Sequence, residues 1–324
     1  MKPSKETFAE VVADYIREKQ ATGCNFAKEA QVLRRIVHLQ KQIDDGIPGL
    51  SRELMTRWTE KTLWESDTNR SNRICVLRGL AGFMTRMGYD TVAVPQRLAT
   101  RVDHAYTPHI FSGRELGLML EAVDRLCENA ISGHSNLVFP LVFRILMGCG
   151  TRITETLRIE KKDVDLESGT LLLLNTKNGK ERIIPMVEAL AHRCRMYATK
   201  NQLVRGFNSS RWFFPNVTGT PYVSATVYGI YRRALHLAGI SHGGRGRGPR
   251  LHDIRHTFAV RVLNRWVREG KDLTTALPYL AIYMGHEGLK ASQHYLRLTA
   301  AMFPDLIKTV EKEYGWVIPE AYHG

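Results

Sequence analysis

The sequence contains no apolar stretch of the ~18 residues that a helix needs to cross a bilayer. Its longest apolar runs, Leu137 to Met147 and Leu171 to Leu174, are interrupted or too short. No apolar segment follows the lysines of the N-terminal MKPSKETFAE, so a secretory leader is not expected and a cytoplasmic location is. Cysteines are few: Cys24, Cys75, Cys127, Cys149 and Cys194 are scattered, odd in number and without a CxxC pair, which argues against a disulfide framework or a zinc module and for small buried hydrophobes. Also missing are a Walker A sequence, an HExxH and a GxGxxG following a strand, which removes the commonest nucleotide-binding, metalloprotease and dinucleotide-binding readings.

What is abundant is positive charge. Across 324 residues, 46 Lys and Arg stand against 32 Asp and Glu, a net +14. The excess runs through both parts of the chain: residues 1–105 hold 17 basic and 13 acidic residues, and the remainder 29 and 19. Such a balance implies a polyanionic partner, whether nucleic acid, an acidic membrane surface or an acidic protein. The length fits two domains, and 44% apolar residues suffice for sizeable cores.

The first part reads as helical. Phe8, Val11, Val12, Tyr15 and Ile16 share one helix face, and Val32, Ile36 and Leu39 begin a second stripe. A turn at Pro48-Gly49 precedes Ser51, an N-cap for a short helix reaching about Lys61. A fourth helix starts near Asp67 and stops at Gly88, with Ile74, Leu77, Leu80 and Phe83 opposite Arg70, Arg73 and Arg78. That basic side is either a solvated surface or a face laid against phosphates. From Pro95 to Pro108, proline and polar residues break the periodicity. Ser112 and Glu115 then form a capping box that opens a new helix, and the apolar run 136–148 predicts a buried one, ended by Gly148-Cys149-Gly150-Thr151. Two β-like runs, 170–175 and 182–186, are joined by a turn containing Asn178-Gly179, a strong hairpin signal. Helices return over 187–202, 222–239 and from His252, the last after a Gly/Arg loop over 242–250. The expected fold class is mainly α with a small antiparallel β-sheet.

Four short segments carry chemistry-bearing residues. GCGTRITETLRIE places Arg152 at a helix start with Glu155 one turn on, and NTKNGKERIIPM carries Lys177 and Lys180 at the hairpin tip. LHDIRHTFAV sets His252 and Arg255 one helical turn apart, and MGHEGLKASQHYLRLT places His286 nine residues before Tyr295. Singly, each has an ordinary structural explanation. In this order, they resemble the tyrosine recombinase, or phage integrase, family over about residues 106–300. The family pattern is an Arg in T-G-x-R-x-x-E, a hairpin Lys, H-x-x-R-H, L-G-H and a downstream Tyr, which falls here on Arg152, Lys177, His252 with Arg255, His286 and Tyr295. The long segment between Arg255 and His286, with Met284 where Leu is common, is more similar to integrases of transposons and conjugative elements.

The resemblance implies a DNA clamp of two domains: a helical, SAM-like core-binding domain over 1–100, a linker over 101–109, and a catalytic domain over 110–324 that includes a C-terminal tail. Two guanidiniums, Arg152 and Arg255, suit the nonbridging oxygens of a phosphodiester in its transition state, and His286 adds a hydrogen bond. Tyr295 is the implied nucleophile, with His252 as the base that helps remove the phenolic proton. Lys177, or Lys180 as the second choice, protonates the departing 5′ oxygen. The product is a 3′-phosphotyrosyl link that stores the phosphodiester, so neither ATP nor a metal or other cofactor is expected. SNRICVLRGLAGF is similar to a core-binding motif, making Asn72, Arg73 and Arg78 DNA-contact candidates, with Lys180 and the loop residues Arg245, Arg247 and Arg250 beside them. The loop is equally compatible with a flexible solvated one. In the tail, Leu306, Ile307 and Val310 form an apolar stripe that packs on a neighbouring protomer or on its own domain. The implied partners are double-stranded DNA and further copies of the chain, a tetramer on two sites, with no membrane and with room for accessory DNA-bending proteins. Bound to DNA, the protein would lie in the nucleoid. Two other readings use the same motifs: a type IB topoisomerase-like nicking enzyme and a catalytically silent DNA-binding regulator.

Overall fold

The computed structural model describes residues 7–24, 26–43, 48–95, 98, 106–128, 135–174, 181–202, 209–244, 248–286 and 295. The chain divides into two compact units, Met1–Tyr106 and Thr107–Gly324.

The described residues of the first unit form four helices. In α1 (Phe8–Ala21) Thr7 and Glu10 form a reciprocal capping box: the Glu10 carboxylate accepts from the Thr7 N–H at 2.6 Å, and the Thr7 hydroxyl accepts from the Glu10 N–H at 3.4 Å. The expected stripe is buried at Phe8, Val11, Val12 and Tyr15. In α2 (Ala27–Ile43) the buried line runs through Ala30, Leu33, Ile36 and Gln40, leaving Val32 and Leu39 at its margins. Ser51 caps α3 (Arg52–Thr59), and Ser66 caps α4 (Asp67–Arg86), each accepting from a backbone N–H three residues on. Burying each large apolar side chain contributes about 1.5–3 kcal/mol, and Phe8, Leu54, Leu80 and Met84 converge on one core. The Pro48-Gly49 turn leads into β1 (Gly49–Leu50), which pairs in parallel with β2 (Asp90–Thr91), a contact between residues 41 apart that no local pattern announced.

The basic side expected for α4 is corrected here at Arg73. Its guanidinium is buried, forks onto Glu65 at 2.6 and 3.0 Å, donates to the Glu60 carbonyl at 2.8 Å and lies over the Trp58 ring. It therefore staples the α3–α4 loop and has no surface to offer a phosphate. Arg70 likewise donates to the Thr59 carbonyl, and Arg78 to the Pro95 carbonyl at 3.1 Å. Asn72 is exposed.

In the second unit α5 (Gly113–Glu128) opens with the expected capping box, Ser112 N–H to Glu115 at 2.7 Å and Glu115 N–H to Ser112 at 3.2 Å. Next, α6 (Ser135–Cys149) is the central helix, with Val138, Phe139, Leu141, Val142, Phe143, Ile145 and Leu146 all buried. The short α7 (Ile153–Leu157) leads to a three-stranded antiparallel sheet in the order β3 (Val164–Asp165), β4 (Thr170–Leu173), β5 (Arg182–Pro185). Leu173 faces Arg182 at the base of the β4–β5 hairpin. Among the described residues four further helices follow: α8 (Glu188–Gln202), α9 (Ser224–Leu237), α10 (Asp253–Arg268) and α11 (Leu273–Met284). Lys177, Lys180, the Asn178-Gly179 turn, Arg245, Arg247 and the stripe at Leu306, Ile307 and Val310 lie outside the described residues. Cys127, Cys149 and Cys194 are buried, as expected of most of the cysteines, whereas Cys24 and Cys75 are exposed. Among the described residues no helix is long and apolar enough to cross a membrane.

Candidate active site

The site forms where three chain segments meet. The first is the end of α6. Gly150 turns the chain with φ +61°, and a side chain there would collide with the Phe258 ring, 2.3 Å from its Cβ position. Arg152 follows as the N-cap of α7, and Glu155 folds back so that its carboxylate accepts from the Arg152 N–H at 3.0 Å and from Arg152 Nη1 at 2.6 Å. The second Arg152 nitrogen, Nη2, donates to the Gly285 carbonyl at 3.0 Å. Arg182, from β5, forks onto the other side of the same carboxylate at 2.7 and 3.3 Å. Burial opposes ionisation of Glu155, but its bonds to Arg182 and Arg152 prevail and hold the carboxyl below its ordinary range.

The second segment is the start of α10. Asp253 is buried and accepts from the His109 and Arg250 N–H groups at 3.3 and 2.8 Å, which fixes the turn that launches the helix. His252 occupies the N-cap, and Arg255 lies one turn inside, buried. Arg255 Nη1 donates to the Gly150 carbonyl at 2.7 Å and Nη2 to the Met284 carbonyl, tying the end of α6 to the end of α11. Burial, followed by repulsion from Arg152, lowers its pKa to about 10, so it remains a cation at neutral pH.

The third segment carries His286 and Tyr295. The Tyr295 ring is buried, 3% exposed. Burial raises the phenol pKa, and the Arg255 and Arg152 charges pull against that rise without cancelling it. The His286 ring lies nearly parallel to the Tyr295 ring, centroids 5.6 Å apart, and His256 sits 5.5 Å away on a tilted plane. His252 meets His256 edge to face at 4.9 Å. Burial, then the Arg255 and Arg152 charges, push His286 down to about 4. Part of His252 meets solvent, but desolvation of the remainder, then His256 and Arg255, lower it likewise to about 4. Both imidazoles are thus neutral proton acceptors at neutral pH.

The structure therefore brings together Arg152, His252, Arg255, His286 and Tyr295, whose sequence positions span 144 residues. Arg250 is exposed and supplies a backbone N–H to the Asp253 cap. Two participants received no role from the sequence: Arg182 and His256. Arg182 was legible in principle, because strand alternation puts it on the same inward face as Ile184, with Ile183 and Pro185 outward. His256, one turn after His252, shares that face by helical spacing.

Residues 118–302 match the model of the phage integrase family. A Sinorhizobium fredii protein named as an integrase/recombinase, y4rB, is 23% identical over 310 residues, covering 95% of this chain and 98% of its own. The tyrosine recombinase XerC of Staphylococcus carnosus is 27% identical over 234 residues, 72% of this chain and 71% of that protein. Among solved structures, the XerH site-specific recombinase bound to palindromic difH superposes with a TM-score of 0.63 at 18% identity, covering 94% of this chain and 84% of that one. The Tn1549 transposon integrase in complex with circular intermediate DNA gives 0.58 at 20% identity, covering 90% and 95%. With its mainly helical build, its small antiparallel sheet and more than half its length matched, the chain belongs to the phage integrase family, the tyrosine recombinases.

Proposed function

We propose that this protein is a site-specific DNA recombinase that cleaves and rejoins strands through a 3′-phosphotyrosyl intermediate, with Tyr295 as the nucleophile. The observation that carries the reading is the buried Tyr295 ring, stacked on His286 and set beside His256, in a site shared with the buried Arg255, with Arg152 and with His252. An arginine pair suits a phosphodiester whose nonbridging oxygens gain charge in the transition state. The relatives' names as recombinases and the DNA in the neighbouring structures support the same conclusion.

In the reaction, the phenolic oxygen of Tyr295 attacks the scissile phosphorus and its proton passes to a neighbouring imidazole, His252 or, through the ring contact, His256. The P–O5′ bond breaks, and the departing oxygen takes a proton from Lys177, which lies five residues before Arg182 in sequence. Bond energy is retained in the phosphotyrosine, and attack by a 5′-hydroxyl from a second duplex reverses the step and exchanges strands. Four copies acting on two sites complete the exchange, with residues 1–100 as a core-binding domain in which Asn72 and Arg78 remain contact candidates. Phosphate contacts over a chain of net +14 make binding fall steeply with salt.

The test begins with DNA recovered covalently attached to the protein after denaturing lysis, which reports the target. A nicked suicide duplex of that sequence then gives a protein–DNA adduct with the wild-type chain. Tyr295→Phe retains duplex binding and yields no adduct; an adduct from the Phe variant shows that another residue is the nucleophile.

A further inference from the structure

Glu155 is a buried carboxylate, its side chain 6% exposed, and four donors reach it: the Arg152 N–H, Arg152 Nη1, Arg182 Nη1 and Arg182 Nη2. Those four fill its lone-pair sites. Arg152 and Arg182 thus compete for one negative charge, and they do so unequally. Arg182 is 5% exposed and turns its fork toward the carboxylate, whereas Arg152 is 20% exposed and stands at the open side of the site. Of the five N–H donors of Arg152, one goes to Glu155 and one to Gly285, which leaves three uncommitted among the described residues.

Charge accounting shows what Arg182 contributes. With both arginines, Arg255 and Glu155, the cluster carries +2; without Arg182 it would carry +1, and among the described residues Glu155 would keep Arg152 as its one cationic hydrogen-bond partner. A buried carboxylate with half its donors removed draws the remaining guanidinium inward, because leaving it unsatisfied costs more than the shift. Arg182 also reaches a third segment. It packs so closely beneath Gly285 that a Cβ there would stand 2.9 Å from its Nη1, and Gly285 immediately precedes His286. The same residue opens β5, opposite Leu173, and Lys177 falls in the sequence between these two paired residues.

We propose that Arg182 is a positioning residue for phosphoryl transfer, which offsets the charge of Glu155 so that Arg152 keeps its outward donors and its full charge for the scissile phosphate. This rests on the recombinase reading above and adds a residue to it. Arg182 does not touch the phosphate; it acts through Glu155 on Arg152.

The experiment is a double-mutant cycle on the full chain, with three readouts: duplex affinity, single-turnover rate of adduct formation on the nicked duplex, and thermal midpoint. Arg182→Met in the wild-type background is expected to leave duplex affinity within about threefold and to slow adduct formation about 10²-fold, the cost of a misplaced catalytic group. In the Glu155→Gln background no charge remains to offset, so adding Arg182→Met costs less than about threefold in rate. Arg182→Lys, which retains the charge and loses the fork, falls between wild type and Arg182→Met. The proposal is overturned if Arg182→Met slows the reaction by the same factor in both backgrounds, as a purely structural residue would, or if it cleaves at the wild-type rate. Should the single variant fail to fold, the neutral pair Arg182→Met/Glu155→Gln decides: a rate equal to that of Glu155→Gln supports the proposal, and a further loss above tenfold sinks it. A wild-type chain that forms no adduct refutes the recombinase reading itself, and this inference with it.

Discussion

Replacing Gly285 by alanine probes the junction of all three site segments with one carbon atom. Gly285 has φ +62°, a left-handed conformation that costs an L-residue about 1–2 kcal/mol. The new methyl would also stand 2.9 Å from Arg182 Nη1, 3.2 Å from its Cζ and 3.5 Å from Arg152 Nη1. A free arginine tip would swing away at little cost, but this one is clamped on Glu155, so displacement adds an overpacking penalty of about 1–3 kcal/mol. The reduced freedom of alanine in the unfolded chain returns about 0.4–1 kcal/mol. The net expectation is a loss of about 3 kcal/mol. For a unit of this size that lowers the thermal midpoint by about 6–12 °C, read by differential scanning calorimetry. Because the displaced Arg182 guanidinium shares the Glu155 carboxylate with Arg152, adduct formation should fall with it, by about 10²-fold at a temperature where the variant is folded. Gly117→Ala is the opposite control: Gly117 lies inside α5 with nothing within 4 Å of its Cβ position, so the same substitution there should raise stability by about 0.5–1 kcal/mol. If Gly285→Ala melts at or above the wild-type temperature, the clamp on Arg182 is not rigid and the reasoning about the junction fails.

Two further expectations concern other parts of the chain. Arg73→Met breaks a buried pair and strands Glu65, so chemical denaturation of the first unit should show a loss of about 3 kcal/mol; a variant of unchanged stability with weakened DNA binding would restore Arg73 to the role of a DNA contact. The site histidines give a pH dependence of stability. His286 and His252 sit near 4 in the folded chain against 6.5 when unfolded, so the unfolded state binds more protons between those values. Stability is fully present above pH 6.5 and declines as pH falls toward 4, a slope that His286→Gln should flatten; a urea midpoint that is constant from pH 7.5 to 5 contradicts it.

Local chemistry was legible wherever the residues that decide it are close in sequence. The Ser112/Glu115 capping box is of this kind, as are the Ser51 cap and the β-like run that became β5, since each involves atoms within a turn or a pleat of one another. The family text marks Arg152, His252, Arg255, His286 and Tyr295 for the same reason: each motif is short. The α2 stripe was misplaced by part of a turn because Val32 and Leu33 are equally apolar, and only the neighbouring helices choose between them.

Arg73 and Arg182 show the limit from opposite sides. Sequence gave each a positive charge at a defined place on a helix or strand, and nothing more. Whether that charge meets DNA or a buried carboxylate depends on Glu65 in one case and Glu155 in the other, 8 and 27 residues away. The composition and motifs alone determined a basic, mainly helical chain and its membership of the phage integrase family. Tertiary structure decided which arginines are spent on internal carboxylates and which keep free donors, because a guanidinium's availability is set by what lies within about 3 Å of it, and local sequence does not specify those neighbours.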